Sequence, residues 1–277
     1  MPMRLGIDTG GTFTDLVLLG NGEGRVHKVA STPEDPLAAI LQGVAELCPE
    51  GLEGVEIIHG TTVGTNAFLT RRGARVVLVA TQGFEDVLFI GRQTRGELFS
   101  LTPRRSPEVL PRERVVGVRE RVLADGRVLT PLTAAEIQRI YREVAARHPQ
   151  AVAVALLHSY VNPEHEVRLG AALASLGVPV SLSSGVLPEF REFERTSATV
   201  LNAYLGPVLG RYLEAWRREM PHTPLFIQHS GGGFLPAREA AAWGLATLAH
   251  RFAGLVQPLR PRFYPSAFIC VNLRLYS

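Results

Sequence analysis

The chain has 277 residues, 46% of them hydrophobic and 20% charged, enough to bury a sizeable core in one large or two modest domains. Its formal charge is +3, yet residues 245–277 hold four arginines and no acid, and the remainder carries 25 basic against 26 acidic side chains. The basic excess thus belongs to the tail rather than to a nucleic-acid-binding face, and no apolar run is long enough to span a bilayer.

Along the chain, the periodicity predicts three short strands over 5–8, 15–19 and 25–30, joined by glycine turns into an antiparallel meander. Asp35 caps a helix with Pro36 in its first turn, and Leu37, Ile40, Leu41 and Val44 recur at helical spacing. A strand ends at His59, a second helix runs from Thr62 to Arg72, and Val76–Ala80 is a continuous apolar run suited to a central strand. Residues 91–116, rich in Arg, Pro and Ser, read as a long exposed loop. Asp125-Gly126 marks a hairpin, and Thr133 with Glu136 forms a capping box ahead of a helix. A buried strand over 151–157, a helix opened by Asn162-Pro163 and ended by Gly177, and a strand over 178–182 follow. A long helix over 194–218 leads to a strand over 225–228 and a turn over 230–233. Three leading strands followed by alternating helices and strands describe an α/β layer structure with a mixed sheet. Met1-Pro2-Met3-Arg4 passes straight into the first strand, so a cytoplasmic location is expected. Cys48 and Cys270 offer no metal-site spacing and no disulfide framework.

The chemistry concentrates in residues 4–15, where Asp8-Thr9-Gly10-Gly11-Thr12-Phe13-Thr14-Asp15 closes an apolar strand. Gly10 and Gly11 let backbone N–H groups close around an anion through positive φ, and Thr12 and Thr14 add hydroxyl donors. A carboxylate beside a phosphate site makes sense when a hydrated hard cation such as Mg²⁺ lies between the two negative groups, which puts Asp8 on the metal through water. The pattern is neither the dinucleotide fingerprint nor the P-loop. Three strands end in histidine, at His59, His158 and His229, and ligand sites gather at carboxyl ends of strands in open α/β sheets. The spacing of a zinc site is absent from them. His59 stands out because Gly60, Thr61 and Thr62 follow it and a helix begins there, as either a binding residue or a loop support.

The first phosphate hairpin resembles that of the actin-like and sugar-kinase superfamily of ATPases. Ile57–Ala67, Thr81–Asp86, Glu192–Tyr204 and Ile227–Gly233, in that order, sharpen this to a resemblance to the hydantoinase A/5-oxoprolinase family, running from about residue 3 to about residue 248. The resemblance implies an RNase H-like, actin-like ATPase domain over 1–185, the beginning of a second such domain over 186–248, and an atypical tail over 249–277. It implies an ATP- and Mg²⁺-dependent hydrolase that opens a hydantoin- or 5-oxoproline-type ring after phosphorylation of the amide oxygen. Asp8 would hold the Mg²⁺ water shell; Gly10, Gly11, Thr12 and Thr14 would cradle phosphate; Asp15 would brace the hairpin or orient water. His59, Thr61 and Thr62 would face the cyclic amide, and a hydantoinase B-type subunit is the implied partner, with neither nucleic acid nor membrane. An ATP-dependent ketone carboxylase subunit and a non-catalytic nucleotide-binding remnant are the alternatives. The family holds ATP from two sides with a second Asp-x-Gly-Gly-Thr-like loop, and no such sequence follows Asp15. An incomplete fragment with an out-of-frame tail, inactive by itself, is the expectation.

Overall fold

The computed structural model describes residues 3–20, 22–32, 34–93, 109–229, 231–240 and 242–247. Residues 94–108 of the expected loop, Ser230, Cys270 and the tail over 249–277 lie outside the described residues. The elements of the first part are β1 (Met3–Thr9), β2 (Phe13–Gly20), β3 (Glu23–Ala30), α1 (Pro36–Leu47), β4 (Val55–Thr61), α2 (Val63–Leu69), β5 (Val76–Thr81) and α3 (Val87–Ile90). Then come β6 (Val115–Val118), β7 (Arg121–Val122), β8 (Val128–Thr130), α4 (Ala134–Ala145), β9 (Ala151–Ala155), α5 (Glu164–Ala174), β10 (Val180–Leu182) and α6 (Ser183–Val186). The last are α7 (Glu192–Glu219), β11 (Leu225–Gln228), β12 (Phe234–Pro236) and α8 (Ala237–Ala240). Among the described residues no helix is long and apolar enough to cross a membrane.

Contacts divide the described chain into one unit made of residues 3–72 and 208–247 and a second made of 73–207. The boundary expected near residue 185 does not coincide with a break in contacts. The reason lies in strand pairing: β11, expected to begin a second domain, adds in parallel to β4 of the first sheet. Pro207, which has no amide hydrogen to give to the helix ladder, sits inside α7 where the contact division falls.

The discontinuous unit is built on a six-stranded mixed sheet in the order β12-β11-β4-β1-β2-β3. The leading meander is antiparallel as expected, with Ile7 opposite Leu16 and Asp8 opposite Asp15, and β4 lies parallel on the other side of β1. Asp35 caps α1 by accepting from the amides of Leu37 and Ala38, so the helix starts at Pro36. Its apolar stripe of Leu37, Ile40, Val44 and Leu47 packs with Leu5, Ile7, Leu16, Ile57 and Trp216 in one buried cluster. Gly43 allows that approach, since a Cβ there would lie 2.5 Å from a methyl of Leu16. This is the mixed-sheet α/β architecture expected of an actin-like ATPase.

The contiguous unit holds an all-parallel sheet in the order β10-β9-β5-β6. Every residue of β5 and β9 is buried, as continuous apolar runs demand of central parallel strands. Thr133 caps α4 by accepting from the Glu136 amide. The Glu136 carboxylate does not reach back; it takes the Arg119 amide and the Arg139 guanidinium, and Arg139 holds it below the ordinary carboxylate range. At the end of the expected loop, Val115 and Val116 instead begin β6, paired with β5.

A layer of buried polar groups closes the carboxyl end of this parallel sheet. The Glu166 carboxylate accepts from the amides of Leu156 and Ser184 at 2.8 Å each and from the Ser183 hydroxyl. Arg195, also without exposed surface, donates to Leu156 O, Ser159, Ser183 and Glu192, and lies 3.9 Å from Glu166. Removing one partner of a buried ion pair leaves the other charged and unsolvated, at a cost of about 3–5 kcal/mol. Arg195→Met is therefore expected to lower unfolding free energy in urea by about that amount, and adding Glu166→Gln should restore part of it. A loss below about 1 kcal/mol for Arg195→Met would show that Glu166 is satisfied without it.

Candidate functional site

Strand β1 delivers Asp8 and Thr9 to the end of the sheet, and the chain turns at once into β2. Gly10 donates its amide to Phe13 O at 2.9 Å, which closes a tight hairpin. Neither Gly10 nor Gly11 has the positive φ expected of them. Glycine suits position 10 for space, because a Cβ there would sit tightly at 3.0 Å from Phe13 O, whereas one on Gly11 would meet nothing. Gly11 and Thr12 form the exposed tip. Thr14, expected to face phosphate, is fully buried and shares a 3.0 Å hydrogen bond with Ser31, whose hydroxyl donates to Gly10 O at 2.9 Å. It braces the loop from beneath, together with Ser31, which the sequence reading passed over.

Side chains of a strand alternate between faces, so the register of β1 on β4 assigns each candidate a side. Ile7 pairs with His59 and Thr9 with Thr61 on one face, while Asp8 pairs with Gly60 on the other. On the Asp8 face, a Cβ placed on Gly60 would lie 3.2 Å from Asp8 Oδ1 and 3.2 Å from Gln228 Oε1. Gly60 is thus a gap between two side-chain oxygens carried at the ends of strands flanking β4. Gln228 was not singled out by sequence, although it precedes the glycine turn; only the pairing of β11 with β4 brings it here.

On the opposite face His59 and Thr61 have no exposed surface. His59 Nδ1 lies 3.2 Å from Ile7 O and Nε2 lies 2.8 Å from the Tyr212 hydroxyl, with the ring packed on Trp216 at 5.2 Å between centroids. The direct substrate role expected of His59 and Thr61 does not fit this burial beneath α7. Thr62 is half-buried and donates to Thr9 O at 2.9 Å, tying the start of α2 to the hairpin. His158 bonds Val122 O through Nδ1, and His229 Nδ1 accepts from the Gly231 amide. Among the described residues no three metal-ligating side chains form a cluster.

The electrostatics of the Asp8 face are strained. Burial, and then the negative Asp15 across the hairpin, hold the Asp8 carboxyl above its ordinary 3.8. Asp15 pairs with Lys28 at 2.8 Å, both about half exposed. A divalent cation with its water shell would relieve the repulsion on Asp8, and the oxygen donors present, a carboxylate and an amide flanking a glycine gap, suit a hard cation.

The sequence matches the family described as Hydantoinase/oxoprolinase N-terminal region over residues 4–177. The caprolactamase subunit alpha of Pseudomonas jessenii is 38% identical over 250 residues, covering 84% of this chain and 36% of that subunit. The crystal structure of the ATP-dependent caprolactamase from that organism superposes with a TM-score of 0.76 at 35% identity, over 84% of this chain and 36% of that one. Acetone carboxylase in its nucleotide-free structure gives a TM-score of 0.74 at 25% identity, over 88% and 38% of the two chains. The 5-oxoprolinase 1 of Arabidopsis thaliana is 31% identical over 271 residues, 83% of this chain and 21% of that protein. The chain spans between 21% and 38% of the length of these relatives.

A raised pKa means the folded chain binds the Asp8 proton more tightly than the unfolded chain does. Ionised Asp8 therefore opposes folding: stability is greatest below the unfolded value and is lost as pH rises through the raised folded one. Without ligand, Asp8→Asn is expected to raise the melting temperature at pH 7, and the gain should shrink as the pH is lowered toward 3.8. A lower melting temperature for the variant at pH 7 would reverse the assignment of strain to this carboxylate.

Proposed function

The chain belongs to the hydantoinase/oxoprolinase family, and on that premise we propose that its Asp8–Asp15 hairpin holds the phosphates of MgATP in an enzyme that opens a cyclic amide. The observation that carries this reading is the row Asp8, Gly60 and Gln228 across the ends of three adjacent strands, beside an exposed glycine tip. Asp8 would hold the water shell of Mg²⁺, with Gln228 on the other side of the gap. Gly11 and Thr12 present backbone and hydroxyl donors at the hairpin tip, while Gly10, Thr14 and Thr62 hold its shape and Asp15 steadies it through Lys28.

When bound, MgATP would supply a phosphoryl group to the amide oxygen, so that water adds to the activated ring carbon, the C–N bond breaks with the ring nitrogen leaving as the amine, and a second water releases phosphate from the acyl phosphate. The residues of this chain contribute position and charge compensation. A braced hairpin and an oxygen-lined gap are groups already arranged for the charge that develops, so little reorganisation is needed at the moment of reaction. Ring opening and the second grip on ATP are assigned to the assembled enzyme, with a hydantoinase B-type subunit as proposed partner; one of the relatives similar in sequence is itself named as a subunit.

Ketone carboxylation is the alternative, favoured by the likeness to acetone carboxylase. In the assembled enzyme, phosphate release stimulated by a small ketone with bicarbonate, and not by hydantoin, 5-oxoproline or a lactam, would select it.

Titration of the 277-residue chain with MgATP to millimolar concentration, followed by NMR, is expected to shift the amides of Gly10, Gly11 and Thr12 saturably and only with Mg²⁺ present. Gly60→Ala, which fills the gap, should weaken that response at least about tenfold, and in the assembled enzyme Asp8→Asn should lower turnover by about a hundredfold or more. Shifts that ignore Mg²⁺, or no shift at all, would overturn the phosphate assignment.

A further inference from the structure

His59 and Tyr212 form a chain of hydrogen bonds whose direction can be worked out atom by atom. Ile7 O can only accept, so His59 Nδ1, 3.2 Å away, carries the ring hydrogen. In the neutral ring Nε2 is then an acceptor, and the Tyr212 hydroxyl at 2.8 Å must donate to it. Both hydrogen bonds thus point one way, from the Tyr212 hydroxyl on α7 to the carbonyl that precedes Asp8. Burial pushes the Tyr212 phenol up, so it keeps the proton it donates.

Ile7 C=O and Asp8 N–H belong to one rigid peptide plane. Holding that carbonyl fixes the rotation of the plane, and with it the direction in which Asp8 leaves the strand. Thr62 adds a second hold one residue beyond, on Thr9 O. We infer that Tyr212 and His59 are positioning residues, which orient the Asp8 hairpin for phosphate by clamping Ile7 O from the core side of the sheet. The inference rests on the phosphate reading of the hairpin. The His59 ring at the centre of the clamp is wholly buried.

The test uses ¹⁵N-labelled chain. In the wild type, the imidazole nitrogens of His59 are expected to report a protonated Nδ1 and a bare Nε2 at pH 7; the opposite tautomer would overturn the chain of donors. Tyr212→Phe keeps the ring and removes one oxygen, and is expected to shift the Gly10, Gly11 and Thr12 amides and to weaken the MgATP response at least about tenfold. Val200→Ala, a cavity in the same helix well before Tyr212, should lower the melting temperature with the hairpin amides unmoved. A folded Tyr212→Phe with unchanged hairpin amides would reduce Tyr212 to ordinary packing. Should that variant fail to fold, the wild-type tautomer decides. If the wild type shows no MgATP response, the phosphate reading falls, while the tautomer and the hairpin amides still decide the clamp.

Discussion

The parallel register of β1 on β4 governs what every side chain at this end of the sheet can do. It places Asp8 opposite Gly60 and Ile7 opposite His59, and the strict alternation of a strand then sends the two sets to opposite faces. A slip of one residue would bury the Asp8 carboxylate beneath α1 and α7 and turn His59 outward. The register is held where it is by the core, since Leu5, Ile7 and Ile57 lie in the cluster with Ile40 and Trp216. Hydrophobic packing several residues away thus chooses which polar groups face a ligand. β11 obeys the same constraint, with Ile227 level with His59 on the core side and Gln228 one step beyond it.

The two faces are built to different ends. On the core side His59 is bonded through both ring nitrogens, and its ring packs on those of Tyr212 and Trp216. On the Asp8 side a carboxylate faces another directly across a hairpin, and Lys28 pairs with Asp15. Local strain of this kind persists only when the surrounding structure over-determines it. Ser31, Thr14 and Thr62 supply that surrounding hold, each through a hydrogen bond to the loop or to its backbone. A cradle held in shape before its ligand arrives loses less freedom on binding.

Much of this was legible in the residues. The meander, the Asp35 and Thr133 caps, the buried runs of β5 and β9 and the phosphate hairpin all follow from local patterns, because each depends on neighbours within a few positions. The sides taken by Gly60 and His59 were within reach as well, by counting in twos from Ile57, an apolar residue that must face the core. Gln228 was not, because its place depends on a strand pairing across more than 160 residues of chain. Thr14 was misjudged for a related reason: a hydroxyl next to a glycine turn reads as a ligand donor, and only the return of β3 brings Ser31 beneath it. The Glu192–Tyr204 segment, one of those that carry the family resemblance, places Arg195 in a buried polar layer whose other members are scattered over 156–184.

The interrupted sheet also sets an order of events for a nascent chain. Residues 73–207 are contiguous and can close their parallel sheet as soon as they emerge, whereas β4 waits for β11. At ordinary rates of synthesis that wait lasts roughly ten to thirty seconds. Throughout it, the strand bearing Gly60 and His59 offers an unpaired backbone edge to any passing polypeptide. The inserted unit thus works as a delay built into translation, and it makes β4 the segment that a ribosome-bound holdase has most reason to cover.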